Sequence, residues 1–177
     1  LVNTLCLMLA RRGFAVELWR GDYGVMAPAI LDPSSDLHVF GPDLVFLLPA
    51  HRDLRCAPGF GTDGEAAARN EASFWAGLWE KLACPVVQLS FDPPPARPLG
   101  ELDGIIAGGL LDHVRLSNRT LAQAASGRAA LVDMEYLVAR LGFERWHDAR
   151  LFTLCKQPFA MEAIPALTDA LASAAAG

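Results

Sequence analysis

Ionisable and hydrogen-bonding side chains gather in a few short stretches, each just after an apolar run. His51, Arg52 and Asp53 follow the nearly all-apolar residues 43–48. An imidazole, a guanidinium and a carboxylate in a row can bind an anion or a carbonyl. The plain alternative is an ordinary polar turn. A second stretch, residues 144–150, carries His147, Asp148 and Arg150, with Lys156 and Gln157 just beyond. His147 and Asp148 with Arg150 offer groups that could hold a phosphate. Alternatively Asp148 caps the next turn and Arg150 pairs with a surface carboxylate. Asp22 and Tyr23 follow the apolar residues 14–19 and form a third, weaker candidate. The four cysteines, Cys6, Cys56, Cys84 and Cys155, lack metal-ligand spacing and read as reduced thiols of a cytosolic protein. Cys155 reads as a buried, inert thiol rather than a nucleophile. No metal site is expected.

These stretches need elements to position them. Residues 14–19, 43–48, 85–90 and 129–132 have the length and apolar content of strands. Helices are expected over residues 1–12, ended by Gly13, and over 25–31 with a further short turn after 32–36. A long helix over 65–83 would turn Phe74, Leu78 and Leu82 inward, with Trp75 and Trp79 one step round. Residues 102–126 read as helical, bent at Gly108-Gly109, and a helix follows Asp133 until Gly142. The last helix spans about 160–175. Residues 55–64 and 144–150 read as loops. Pro93-Pro94-Pro95 excludes helix and central strand and suggests a stiff surface arm.

Strand–helix alternation of this kind marks an α/β fold, a three-layer sandwich around a parallel, flavodoxin-like sheet. Working loops then lie at the carboxyl ends of the strands. In the order 2-1-3-4-5 the first strand is central. Here the pattern opens on a helix, so strands 14–19 and 43–48 would flank an empty slot. An additional strand, from upstream residues or another chain, is expected to fill it. The alternative is a differently wound sheet.

The chain has 177 residues, is 53% hydrophobic and 20% charged, and carries a net charge of −5, which suits one domain with a sizeable core. Without a basic block, nucleic acid is not the expected partner. No apolar run approaches the roughly 18 residues of a membrane span. A cytoplasmic location is expected.

Residues 131–172, LVDMEYLVARLGFERWHDARLFTLCKQPFAMEAIPALTDALA, are similar to the amino-terminal domain of FkbH-like proteins. So are LDPSSDLHVFGPDLVFLL (31–48), FDPPPARPLGELDG (91–104) and RLSNRTLA (115–122). The resemblance implies an SGNH-like (GDSL hydrolase-like) domain over residues 1–177, the amino-terminal part of a longer protein. A haloacid-dehalogenase-type domain would follow, and Mg2+ would belong to that second domain, with no cofactor in this one. The family is associated with loading a glyceryl unit onto an acyl carrier protein in polyketide biosynthesis. Carrier and second domain are the implied partners.

An SGNH hydrolase needs a Ser after the first strand, Gly and Asn oxyanion donors, and a D-x-x-H before the last helix. The Ser position would lie upstream of Leu1. The loop 49–53 has no Asn, and the D-x-x-H position reads Cys155-Lys156-Gln157-Pro158-Phe159. An amide does not ionise, so Gln157 cannot replace the base. The expectation is a catalytically degenerate domain that docks or positions a carrier protein. An active esterase or acyltransferase with an upstream Ser and a non-standard base, and a purely structural domain, are the alternatives.

Overall fold

The computed structural model describes residues 1–22, 24–55 and 64–177. Tyr23, Cys56 and most of the loop expected over 55–64 lie outside the described residues. The helices are α1 (Val2–Ala10), α2 (Met26–Leu31), α3 (Asp36–Phe40), α4 (Gly64–Trp79), α5 (Leu110–Ala125), α6 (Met134–Leu141), α7 (Phe143–Trp146), α8 (Ala149–Cys155) and α9 (Ile164–Ala176). The strands are β1 (Val45–Leu47), β2 (Val86–Leu89) and β3 (Ala129–Val132). They form a three-stranded parallel sheet in the order β1-β2-β3, with Val45 opposite Val86 and Val86 opposite Ala129.

Two apolar layers sandwich the sheet, so its strands read as continuous hydrophobic runs. One layer joins Leu5 and Leu9 of α1, Leu137 and Val138 of α6, and Leu167 and Leu171 of α9 to Val87, Leu89 and Val132. The other joins Ile30, Leu37, Trp75, Leu78, Val114 and Leu121 to Val45, Leu47 and Val86. Alternate residues of β2 therefore serve opposite layers, as the pleat requires. Gln88 is buried with the second layer, where its side-chain carbonyl accepts from Trp79 Nε1 at 2.7 Å.

Several elements differ from the sequence reading. Residues 14–19 are not a strand. Their alternating pattern is β-like, but a strand exists only through its ladder, and no hydrogen bond joins them to the sheet. In α4 the inward residues are Ala68, Ala72, Trp75, Leu78 and Trp79, and Phe74 is only partly buried. Both indoles point in because each N–H finds a buried acceptor, Glu71 Oε1 for Trp75 and Gln88 Oε1 for Trp79. The helix expected over 102–126 is broken rather than bent, and α5 starts at Leu110. The fully buried Asp103 carboxylate accepts from Leu111 N–H at 2.8 Å and Leu99 N–H at 3.2 Å, so this turn stands in for a helix start. Residues 144–150 fall mostly in α7 and α8, not in one loop. The triple proline is not wholly a surface arm, because Pro93 and Pro94 are buried beside Phe91 and Asp92.

Gly109 lies against the carbonyl of Asp103, where any Cβ would collide with backbone. Gly109→Ala should therefore lower stability by about 1–3 kcal/mol through overpacking. Urea unfolding of the two proteins checks this, with Gly77→Ala as control, since a Cβ there meets open space.

Candidate functional site

The polar chemistry concentrates at the carboxyl ends of β1 and β2, as a parallel sheet demands. β1 runs into Pro49-Ala50 and a 3-10 turn, His51–Asp53. β2 runs into Ser90, Phe91 and Asp92. Beyond Leu89 the ladder is prolonged by Ser90 N–H donating to Val132 C=O at 3.0 Å. The backbone of Phe91 then turns to a side chain. Its N–H donates to Asn118 Oδ1, and Asn118 Nδ2 donates to its C=O, both at 2.8 Å. This two-point clamp from α5 fixes where Asp92 sits.

Asp92 is the centre of the arrangement. Oδ1 accepts from the His51 backbone N–H at 2.7 Å and from His51 Nδ1 at 2.9 Å. Oδ2 accepts from Trp146 Nε1 at 2.8 Å. The carboxyl is almost wholly buried, which alone would raise its pKa. The hydrogen bond and charge of His51, its backbone N–H and the Trp146 indole together outweigh burial and hold the pKa below the usual carboxylate range. Asp92 is therefore an anion under ordinary conditions. An anionic carboxylate only accepts, so Nδ1 of His51 carries the proton. In the neutral ring Nε2 keeps its lone pair, and it has no hydrogen-bond partner among the described residues.

His147 packs edge-on to His51, with ring centroids 5.8 Å apart, and its Nε2 donates to Pro93 C=O at 2.9 Å. Its Nδ1 lies 4.0 Å from Asp92 Oδ2. Burial lowers the pKa of His147. Asp92 and the Pro93 carbonyl oppose that, His51 and Arg52 reinforce it, and the net direction is down.

Around this centre the sequence candidates separate. Arg52 stacks over the Phe152 ring at 4.1 Å, and Lys156 approaches the same ring at 5.3 Å. A cation from the turn after β1 and the cation that ends α8 thus share one aromatic ring. Lys156 adopts a left-handed conformation, φ 59°, which ends α8 and turns the chain back. Asp53 folds onto its own turn and accepts from Ala50 N–H at 2.7 Å. Asp148 caps α8 through Oδ1, which accepts from Arg150 and Leu151 N–H at 2.9 and 3.1 Å. Arg150 is exposed and forms no ion pair among the described residues. Gln157 donates to Phe159 C=O at 2.8 Å, a local tie. Asp22 is exposed and makes no side-chain bond to the cluster, and Tyr23 lies outside the described residues. Cys155 is exposed rather than buried, and its thiol donates to Leu151 C=O at 3.2 Å.

Asp92, Trp146 and Asn118 were not singled out from the sequence. A lone acid directly after an apolar strand was the available signal for Asp92. The space beside it, lined by Leu48, Pro49, Trp146 and Phe159, is about 10 Å³. That is roughly the room for one water. A larger cleft of about 350 Å³ lies at the opposite, amino ends of the strands, away from this chemistry. Its one charged lining residue, Arg128, is paired with Glu80. Among the described residues no three His, Cys, Asp or Glu side chains gather as a metal site, and no helix is long and apolar enough to cross a membrane.

Fold and site define an α/β domain with a parallel sheet between two helical layers. No family model matches the chain, and no curated protein matches it. Among solved structures it is similar to the crystal structure of the N-terminal part of the protein BF1531 from Bacteroides fragilis, containing phosphatase domain complexed with Mg. The TM-score is 0.81 at 16% identity, over 94% of this chain and 46% of that one. At that identity the likeness shows the fold, and this chain spans about half the length of its neighbour.

The His147 shift carries a sign that can be tested. Its folded pKa lies below the unfolded one, so the unfolded chain binds the extra proton more readily. The stabilisation is full above about pH 6.5 and is lost as pH falls through that value toward the folded pKa. Below that window Asp92, also depressed, adds a second loss as pH falls through the carboxylate range. The urea midpoint should fall between pH 7.5 and 5.5, and His147→Gln should flatten that part of the curve.

Proposed function

We propose that this chain is a carrier-positioning domain of an FkbH-like protein, not catalytic by itself. It would serve a phosphatase-like second domain of the haloacid dehalogenase type that loads a glyceryl unit onto an acyl carrier protein in the cytoplasm. Mg2+ would act in that second domain. The sequence resemblance supports the family, and the phosphatase domain named for the structural neighbour supports the domain partnership. One observation carries the docking role. Arg52 from the turn after β1 and Lys156 at the end of α8 both lie against the Phe152 ring, on a chain of net charge −5. An acidic carrier with a phosphate on its arm needs such a local gathering of cations. Arg supplies a forked donor pair and Lys a point charge.

The double change Arg52→Ala with Lys156→Ala should weaken binding of the holo carrier by roughly 1–3 kcal/mol, the range of charge-assisted hydrogen bonds. It should also reduce the salt dependence of binding. A titration at two ionic strengths measures both, and unchanged affinity at both removes the docking role from these loops.

A second reading, an esterase or acyltransferase, is favoured by the His51–Asp92 pair. A free Nε2 backed by a buried carboxylate is the form of a general base. Among the described residues no hydroxyl or thiol is hydrogen-bonded to it, and the adjoining space holds no substrate. The chain Leu1–Gly177 should therefore not hydrolyse short p-nitrophenyl esters. Turnover abolished by His51→Asn, whose amide can still donate to Asp92, would move the conclusion to an enzyme.

A further inference from the structure

Docking through Arg52 and Lys156 leaves the neighbouring residue, His51, without a task. Asp92 holds His51 at two points, accepting from its backbone N–H at 2.7 Å and from Nδ1 at 2.9 Å. Trp146 holds Asp92 in turn, its indole N–H donating to Oδ2 at 2.8 Å. The His51 ring cannot flip or change tautomer without breaking its bond to the carboxylate. Its remaining polar atom is Nε2, with a lone pair.

That atom is neither satisfied nor sealed. The His51 side chain is 8% exposed, and among the described residues Nε2 has no hydrogen-bond partner and is not enclosed. Gln88 Nε2 and Ser117 Oγ, by contrast, are unpartnered and enclosed. His147 is arranged differently from His51. Its Nε2 donates to Pro93 C=O at 2.9 Å, so its lone pair is on Nδ1, which lies 4.0 Å from the buried Asp92 Oδ2. Burial also lowers its pKa, so it is uncharged near pH 7. Of the two imidazoles, His51 is the one that offers a lone pair to an incoming group.

A proton taken up at Nε2 makes an imidazolium whose charge faces the Asp92 anion at 2.9 Å. In a setting this enclosed such a pair interacts strongly. Acidity then selects the donor. A free imidazole titrates near pH 6.5 and a free thiol near 8.5, a gap of about two units that an ion pair can close. Water stands near roughly 16, far out of reach of full proton transfer. No thiol of the chain is bonded to Nε2 among the described residues, so the thiol comes from another molecule. A holo carrier presents one at the end of its flexible arm.

We propose that His51 is the proton acceptor for the thiol of a docked carrier, with Asp92 as its positioning residue. This role rests on the carrier-positioning reading. The S–H bond breaks, the electron pair stays on sulfur, and the proton is held on Nε2. Thiolate and imidazolium remain as an ion pair. The chain completes no turnover by this step; it hands an ionised nucleophile to the second domain.

Thiolate absorbance near about 240 nm, read on mixing the chain with its holo carrier at pH 7, tests the assignment. A free thiol is only a few per cent ionised at that pH. In the complex the ionised fraction should rise at least about fivefold. His51→Asn should abolish the rise while the carrier still binds, because the Asn amide can still donate to Asp92. Side-chain nitrogen NMR of the unaltered chain reads the same event without a variant. The His51 Nε2 signal should move from its lone-pair to its protonated position with holo carrier, and stay in place with apo carrier, which lacks the arm. Binding of holo carrier with no rise in thiolate overturns the proton-acceptor role and leaves docking standing. Absence of binding overturns both. A rise that survives His51→Asn also overturns the role, and assigns the ionisation to the Arg52 and Lys156 cations.

Discussion

A buried anion must be surrounded by donors, and the carboxyl end of this sheet is arranged around that requirement. Asp92 cannot keep its charge in an apolar setting without hydrogen bonds from several directions. It receives them from the turn after β1, from the His51 ring and from the indole of α7. Two segments far apart in sequence, the His51 turn and α7, are thereby fixed to one carboxylate. Remove that anchor and the His51 ring loses its orientation, Trp146 loses its buried acceptor, and Arg52 loses the platform that aims it at Phe152.

The two helical layers meet the sheet with different chemistry. The layer of α1, α6 and α9 is almost purely aliphatic along α9, where Leu167, Leu171 and Ala172 are fully enclosed. In the other layer the buried Glu71 and Gln88 accept from Trp75 and Trp79. Glu71 also accepts from Arg55 N–H at 3.1 Å, which ties the turn following His51–Asp53 to α4. Core packing and site placement are thus connected through the tryptophans rather than being separate tasks.

Much of the fold was legible because its strands are doubly buried and so appear as compact apolar runs bounded by polar or proline-rich breaks. Residues 14–19 misled because apolar alternation records a preference, whereas a strand needs a partner. The start of α5 was not legible because the carboxylate that serves its first turn, Asp103, reaches Leu111 N–H from eight residues away rather than from the cap position. Within the site, His51, Arg52 and Lys156 were legible as charges directly after apolar segments. Asp92 was not. Its partners lie 41 and 54 residues away, and no local periodicity reports contacts of that range. The three prolines after it drew the reading toward an exposed loop.

The Asn118 clamp has a consequence for recognising relatives. One amide supplies both a donor and an acceptor to the same residue's backbone. Asp could not donate to the Phe91 carbonyl, Ser and Thr are too short to bridge both groups, and Gln would overshoot. The position therefore admits one residue type wherever the strand exits in this way. An apolar strand ending in Phe-Asp-Pro, followed by an Asn inside the next helix, forms a compact fingerprint. Sequences too divergent to align with this one could be searched for it directly.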